Sequence, residues 1–174
     1  MIAVKKITRR YLEKFISQYA TDTEILDIGS GGSSYHQYFP LRLTVDIDPA
    51  RKPDIVADAH DLPFPDNRFK FVLCTEMLEH VKDPARVESE IRRVMAPGGR
   101  LVLTTRFVYP LHDTPNDHWR FTKYGLRHLF REWEIEKLVP ETRTFSAIAA
   151  LLQRIIFQTE LRGGKITKGI ILAI

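Results

Sequence analysis

Ile25-Leu26-Asp27-Ile28-Gly29-Ser30-Gly31-Gly32-Ser33 is the run that decides the fold. An apolar strand passes directly into a glycine-rich turn, where the chain can reverse tightly and let a ligand approach its backbone. Working outward, further β-rich runs occupy 42–46, 54–57, 69–75 and 100–105, and the first strand itself reads as 24–28. Each run is closed by Gly, Pro or Asp. Before the first strand, Ile7, Tyr11, Phe15 and Ile16 recur at helical spacing. Between the last two runs, Asp83-Pro84 forms an N-cap and first-turn pair, Val87, Ile91, Val94 and Met95 make a helical stripe, and Pro97-Gly98-Gly99 stops it. Strands alternating with helices imply a parallel sheet. The stretch 47–53 is too short for a usual crossover helix, so the sheet is expected to be abbreviated there.

Farther along, Thr122 can cap a helix to about Arg131, 134–139 reads as another strand, and Ile148, Leu151, Leu152, Ile155 and Ile156 mark one face of a helix. Gly163-Gly164 interrupts that pattern before an apolar tail, 166–174, the one stretch left for a closing antiparallel strand. No linker or repeat divides the chain. The expected organisation is a single domain, 1–174: an N-terminal helix in 1–20, a ligand-binding core in 24–139, and a helix and tail in 140–174 that could act as a lid.

The apolar fraction of 44% is enough for a sizeable core. The single cysteine, Cys74, sits in an apolar run, which excludes an internal disulfide framework and makes the cytoplasm the expected setting. No signal-peptide pattern or membrane-spanning run is legible. The net charge of +4 is unevenly spread. Asp46, Asp48, Asp54, Asp58, Asp61 and Asp66 crowd the ligand side, while Lys5, Lys6, Arg9, Arg10 and Lys14 gather at one end and Arg154, Arg162, Lys165 and Lys168 at the other.

Asp27 argues against a dinucleotide. A carboxylate at the strand end repels a pyrophosphate on the next helix N-terminus, but attracts an ammonium or sulfonium group. S-adenosylmethionine carries both cations and no phosphate. Asp46, 17 residues after Gly29, stands where a carboxylate can accept both ribose hydroxyls, with Asp48 as a competitor. Asp58-Ala59 can flank an adenine. Ser30, Ile47 and Thr75 complete the expected cofactor wall.

These residues resemble the class I S-adenosylmethionine-dependent methyltransferases. The likeness spans 24–139 and rests on the glycine loop, Asp46, Asp58-Ala59, Leu62-Pro63-Phe64, Leu78-Glu79-His80 and Pro97-Gly98-Gly99, all in the family's order. It implies an α/β, Rossmann-like sheet of seven strands, parallel except for a terminal antiparallel strand, complete or cut short here, with helices on both faces. It further implies that Asp27, Gly29, Gly31, Asp46 and Asp58 surround the cofactor, with His80 shaping the pocket. Ser33, where a third glycine is usual, and Lys70, where the family favours Asp, depart from the pattern.

Cys74-Thr75-Glu76-Met77 replaces the Asn/Asp-Pro-Pro-aromatic motif of base-modifying enzymes. With an acidic cofactor face, this makes nucleic acid a poor acceptor. Pro115-Asn116-Asp117-His118-Trp119-Arg120-Phe121-Thr122 resembles a segment of a bacterial and archaeal subgroup often associated with glycan or cell-envelope metabolism. The expected acceptor is therefore a small molecule or glycan, O-methylation being favoured because His112 or His118 can remove a hydroxyl proton. Trp119 and Phe121 are expected in the core, with Arg120 paired to a carboxylate. No metal site is expected: His112, Asp113, Asp117 and His118 only mimic a ligand set, in a segment with turn-forming prolines. Two alternatives stay open: a cofactor-binding module without activity, and a nucleotide-dependent oxidoreductase, although no Tyr-x-x-x-Lys pair is present. The basic and apolar residues of the C-terminal segment suggest peripheral contact with a membrane surface. The sequence sets no oligomeric state.

Overall fold

A computed structural model describes residues 7–32 and 35–140, with 144–145, 147–149 and 151–152. Its elements are α1 (Ile7–Ile16), β1 (Ile25–Ile28), β2 (Arg42–Asp46), β3 (Ile55–Val56), β4 (Phe69–Thr75), α2 (Pro84–Val94), β5 (Met95–Thr104) and α3 (Lys123–Leu129). The sheet order is β3-β2-β1-β4-β5, and every pairing is parallel. From β1 the chain winds outward to β2 and β3, then returns to lay β4 on β1's other side. The carboxyl ends of β1 and β4 therefore frame the crevice where open α/β sheets bind ligands.

All of β1 is buried, and its alternation divides the core between two faces. Leu26 and Ile28 join Val72, Val87, Ile91 and Val94 beneath α2 and α3. Ile25 joins Leu73 and Val102 against Leu12 and Ile16 of α1. Cys74 is fully buried, and burial pushes its thiol pKa up, as fits a core residue. The predicted caps hold. Asp83 accepts from the N–H groups of Ala85 and Arg86, and Thr122 from that of Gly125.

Four expectations need correction. β3 is only two residues long because Asp54 spends its carboxylate on the Thr44 N–H and hydroxyl, at 2.8 and 2.6 Å, before the ladder begins. Pro97-Gly98-Gly99 does not separate helix from strand: β5 starts at Met95 and contains the three residues as an irregularity between the Phe69–Met95 and Phe71–Arg100 pairs. Gly99 is required there, since a Cβ would lie 2.8 Å from the Ala96 carbonyl oxygen.

Residues 134–139 form no strand. Their side chains are anchored instead: Ile135 against the α2 core, Glu136 on Arg100 at 3.2 Å and Lys137 on Gln18 at 3.1 Å. Trp119 is not core, being 42% exposed. Its ring N–H reaches the Val81 carbonyl, whereas Phe121 does pack on the core. The expected antiparallel strand in 166–174 and most of the C-terminal helix lie outside the described residues, although 147–149 and 151–152 are helical. Among the described residues no helix is long and apolar enough to cross a membrane.

Candidate active site

Gly29, Gly31 and Gly32 all have φ between 55° and 71°, a region that penalises any side chain. Gly29 has a second reason to be glycine: a Cβ there would overlap Cβ and Cγ of Met77. The turn is held by the Val45 carbonyl, which accepts from the N–H groups of Gly29 at 2.8 Å and Ser30 at 3.2 Å. Ser30 is buried; Ser33 and Ser34 lie outside the described residues.

Asp46, at the end of β2, accepts from the Gly31 N–H through Oδ2 at 2.7 Å and from the Asp48 N–H through Oδ1 at 2.9 Å. Each carboxylate oxygen retains a further lone pair for a ribose hydroxyl. Asp48 is committed elsewhere, capping the short turn Pro49–Arg51 through the Ala50 N–H. Beside Asp46, Ile47 is 66% exposed, an apolar face available to a flat ring.

Asp58 accepts from the His60 N–H at 2.9 Å and sits 2.5 Å from the His60 ring Nδ1. Partial burial raises its pKa, but the His60 contacts outweigh this and hold the carboxyl below its usual value. Ala59 is half-buried beside it. Thr75, at the end of β4, is buried and hydrogen-bonds the Tyr35 hydroxyl, whose pKa is raised chiefly by burial.

Asp27 has a partner that sequence did not suggest. It is 0% exposed, and Arg42 Nη1 donates to Oδ2 at 2.9 Å, leaving Oδ1 without a hydrogen bond. Burial pushes the carboxyl up to about 6 even though Arg42 pulls it down. A ligand ammonium against Oδ1 would relieve that penalty. Together the side-chain-free Gly29, the unpartnered Asp27 oxygen and the spare Asp46 lone pairs fit S-adenosylmethionine.

The segment after β5 is tied to the turn Leu78–His80. The Glu79 carbonyl accepts from the N–H groups of His118 at 2.9 Å and Trp119 at 3.1 Å, and the Asn116 carbonyl lies 2.8 Å from His80 Nδ1. Asp117, its side chain 1% exposed, anchors the segment internally. It takes Arg120 bidentately at 2.6 and 2.7 Å and the His112 N–H at 2.9 Å. These bonds, Arg120 first, hold the Asp117 carboxyl far below its usual value.

The arrangement separates the two candidate bases. His112 is drawn inward, its ring centroid 4.8 Å from that of His80 and 4.9 Å from that of Tyr109. Burial lowers its pKa despite Asp117, which keeps the ring neutral near pH 7. His118 is exposed and joins the site through its backbone N–H. Of His112, Asp113, Asp117 and His118, only His112 and Asp117 stand together, 3.2 Å apart, with Asp117 already committed to Arg120 and the Asp113 side chain 71% exposed.

Three neighbours were missed by sequence reasoning. Glu79 is fully buried, its Oε2 accepting from the Thr105 hydroxyl at 2.8 Å. Arg106 is buried over the Tyr109 ring and ion-paired to Glu76. Glu76 itself has φ 52°, strained for a non-glycine residue, at the mouth of the crevice. The residues before it gave one usable signal: an acidic side chain directly after an apolar strand.

Residues 26–103 match the methyltransferase domain family. A demethylmenaquinone methyltransferase of Paenarthrobacter aurescens is 32% identical over 122 residues, 61% of this chain and 46% of that protein. A ubiquinone biosynthesis O-methyltransferase of Pseudomonas syringae is 31% identical over 102 residues, 47% of this chain and 44% of that protein. The chain spans less than half the length of the curated relatives it matches, from 14% to 46%. Among solved structures, an S-adenosylmethionine-dependent methyltransferase from Aquifex aeolicus shares the fold with a TM-score of 0.54 at 15% identity, over 72% of this chain and 77% of that one. The matched residues include the glycine loop, Asp46, Asp58 and Glu79, while the segment 105–122 lies beyond the match.

Proposed function

We propose that this chain is a cytoplasmic S-adenosylmethionine-dependent methyltransferase acting on a small-molecule or glycan acceptor, with a hydroxyl oxygen as the favoured nucleophile. The observation that carries the reading is the cradle at the ends of β1 and β2: a glycine turn with no room for a side chain, Asp46 against it, and a buried Asp27 with one oxygen unpartnered. The names of two relatives support a small-molecule acceptor. The glycan alternative rests on the likeness of residues 115–122 to the envelope-associated subgroup.

S-adenosylmethionine would supply a methyl group made electrophilic by its sulfonium. Asp27 would hold the ammonium end, Asp46 the ribose and the Asp58-Ala59 corner the adenine, so that the domain contributes orientation and exclusion of water. On the acceptor side, neutral His112 would take up the hydroxyl proton as the new oxygen–carbon bond forms. Asp117, 3.2 Å from its Nδ1, would steady the resulting charge.

Thermal shift with S-adenosylhomocysteine, NAD and NADP, followed by labelled-methyl transfer to cell extract, tests the proposal. Stabilisation by S-adenosylhomocysteine alone, with label incorporated, is expected. Stabilisation by NAD instead would overturn the cofactor. Cofactor binding without transfer to any acceptor would favour the inactive binding module.

A further inference from the structure

Glu79, His80 and His112 come together although 32 residues separate the last two, and one ligand-forming atom from each lies within 4.8 Å of the others. Two of the three are held as a metal site requires. His80 Nδ1 lies 2.8 Å from the Asn116 carbonyl. A carbonyl oxygen only accepts, so Nδ1 carries the proton and Nε2 keeps its lone pair. His112 Nδ1 is buried without a hydrogen bond, but Asp117 Oδ2 lies 3.2 Å away and its charge favours the ring proton on that nitrogen, with Nε2 basic. Carbonyl and carboxylate groups behind the far ring nitrogen are what fix a histidine toward a cation.

The independent observation is Glu79. It is 0% exposed, and its Oε1 is buried with no hydrogen-bond partner. Thr105 accounts for Oε2 only, at 2.8 Å. A carboxylate oxygen without a partner in the interior calls for a cation or a proton. His80, with its Nδ1 proton on the Asn116 carbonyl, offers Oε1 no donor.

We propose that Glu79, His80 and His112 bind a divalent transition-metal ion of the zinc, cobalt or manganese kind. Two imidazoles and one carboxylate suit these ions better than magnesium, which prefers oxygen ligands. Ligands about 2.1 Å from a common ion stand roughly 3.0 to 3.5 Å apart, so the widest of the three separations must close by roughly 1.5 Å. His80 and His112 lie outside the β-strands, and Asp113, 3.9 Å from His80 Nε2 on the exposed side, is within reach as a fourth ligand. Three protein ligands leave positions open for an acceptor oxygen.

What the ion does rests on the methyltransferase reading; that it binds does not. With the ion present, His112 is a ligand, and the metal rather than the ring acidifies an acceptor hydroxyl, whose proton then leaves to solvent. This points to acceptors with two adjacent oxygens, able to chelate.

Calorimetric titration of the full chain with zinc, cobalt and magnesium chlorides, with the cobalt d–d absorption as a second readout, tests the site. One cobalt or zinc per chain is expected, with magnesium much weaker. His80→Ala and His112→Ala should each lower affinity by about 100-fold. His112→Ala should keep the S-adenosylhomocysteine thermal shift, and the far-UV circular dichroism and urea midpoint of His80→Ala should show that it too folds. His128→Ala, on the exposed side of α3, should bind as the wild type does. Glu79→Gln should bleach or shift the cobalt spectrum if it folds. Failure to bind cobalt, or unchanged affinity in both histidine variants, overturns the site while leaving the cofactor reading intact. Unchanged transfer after removal of bound metal with a chelator overturns the metal's chemical role and returns the proton to His112.

Discussion

Replacing Asp27 with Asn should make the folded domain less sensitive to pH between 4 and 7, and the size of the effect follows from the burial of that carboxyl. Its value rises from 3.8 to about 6 on folding, mainly by desolvation. Above pH 6 both states are ionised, and the folded state bears the cost; below 3.8 both are neutral, and the cost vanishes. A raised carboxyl therefore removes stability as pH increases. At 1.36 kcal/mol for each pH unit, ionisation of Asp27 costs about 3 kcal/mol at pH 7.5 and about 2 kcal/mol at pH 5. Other groups titrate over the same range, so the informative quantity is the difference between wild type and variant. Urea denaturation at pH 5 and pH 7.5 should show that difference shifting by about 1 kcal/mol in favour of the variant at the higher pH. Losing the charged bond to Arg42 adds a nearly constant offset, which cancels in this comparison. A difference that is flat with pH, or that moves the other way, would refute a strained buried carboxylate. The same reasoning predicts that S-adenosylhomocysteine binds more tightly as pH rises through 6, because its ammonium favours ionised Asp27.

Asp46→Ala should weaken S-adenosylhomocysteine binding by about 1 to 3 kcal/mol, measured by calorimetry, since both the ribose acceptor and the brace on the Gly31 N–H are lost. Unchanged affinity would remove Asp46 from the site. Gly29→Ala should lower stability by about 2 to 5 kcal/mol in urea, from positive-φ strain and the collision with Met77 together; a loss under 1 kcal/mol would show that Met77 simply moves aside. Arg120→Gln should cost about 2 to 3 kcal/mol, because Asp117 keeps a buried charge without its bidentate partner, and limited proteolysis should then cut within 107–118. Resistance equal to wild type would mean that the Glu79 carbonyl alone holds the segment.

Much of this was legible because the signals were local. β4 spans 69–75 as its apolar run indicates, and Asp83-Pro84 and Thr122 start helices by satisfying N–H groups one turn away. The glycine turn and Asp46 could be paired from their positions at adjacent strand ends. What escaped depends on partners distant in sequence. Residues 134–139 have the composition of a strand, but their side chains found Arg100 and Gln18 instead of a ladder. Asp27 announces an acidic strand end, yet nothing local says that Arg42 will reach across from β2 to neutralise one oxygen. His112 and His118 look equivalent in the sequence. Only the Asp117–Arg120 anchor, folding the segment back on itself, turns one inward and leaves the other at the surface.

The attachment of residues 116–121 to the Leu78–His80 turn has an evolutionary consequence. The two N–H bonds onto the Glu79 carbonyl and the Trp119 ring bond onto Val81 fasten backbone to backbone or indole to backbone, and so place few demands on residue identity in between. The exposed Phe107, Val108 and Leu111, which precede these fixings, are under little such constraint. A lineage could exchange that short stretch wholesale and acquire a new acceptor preference, while inheriting its cofactor grip unaltered.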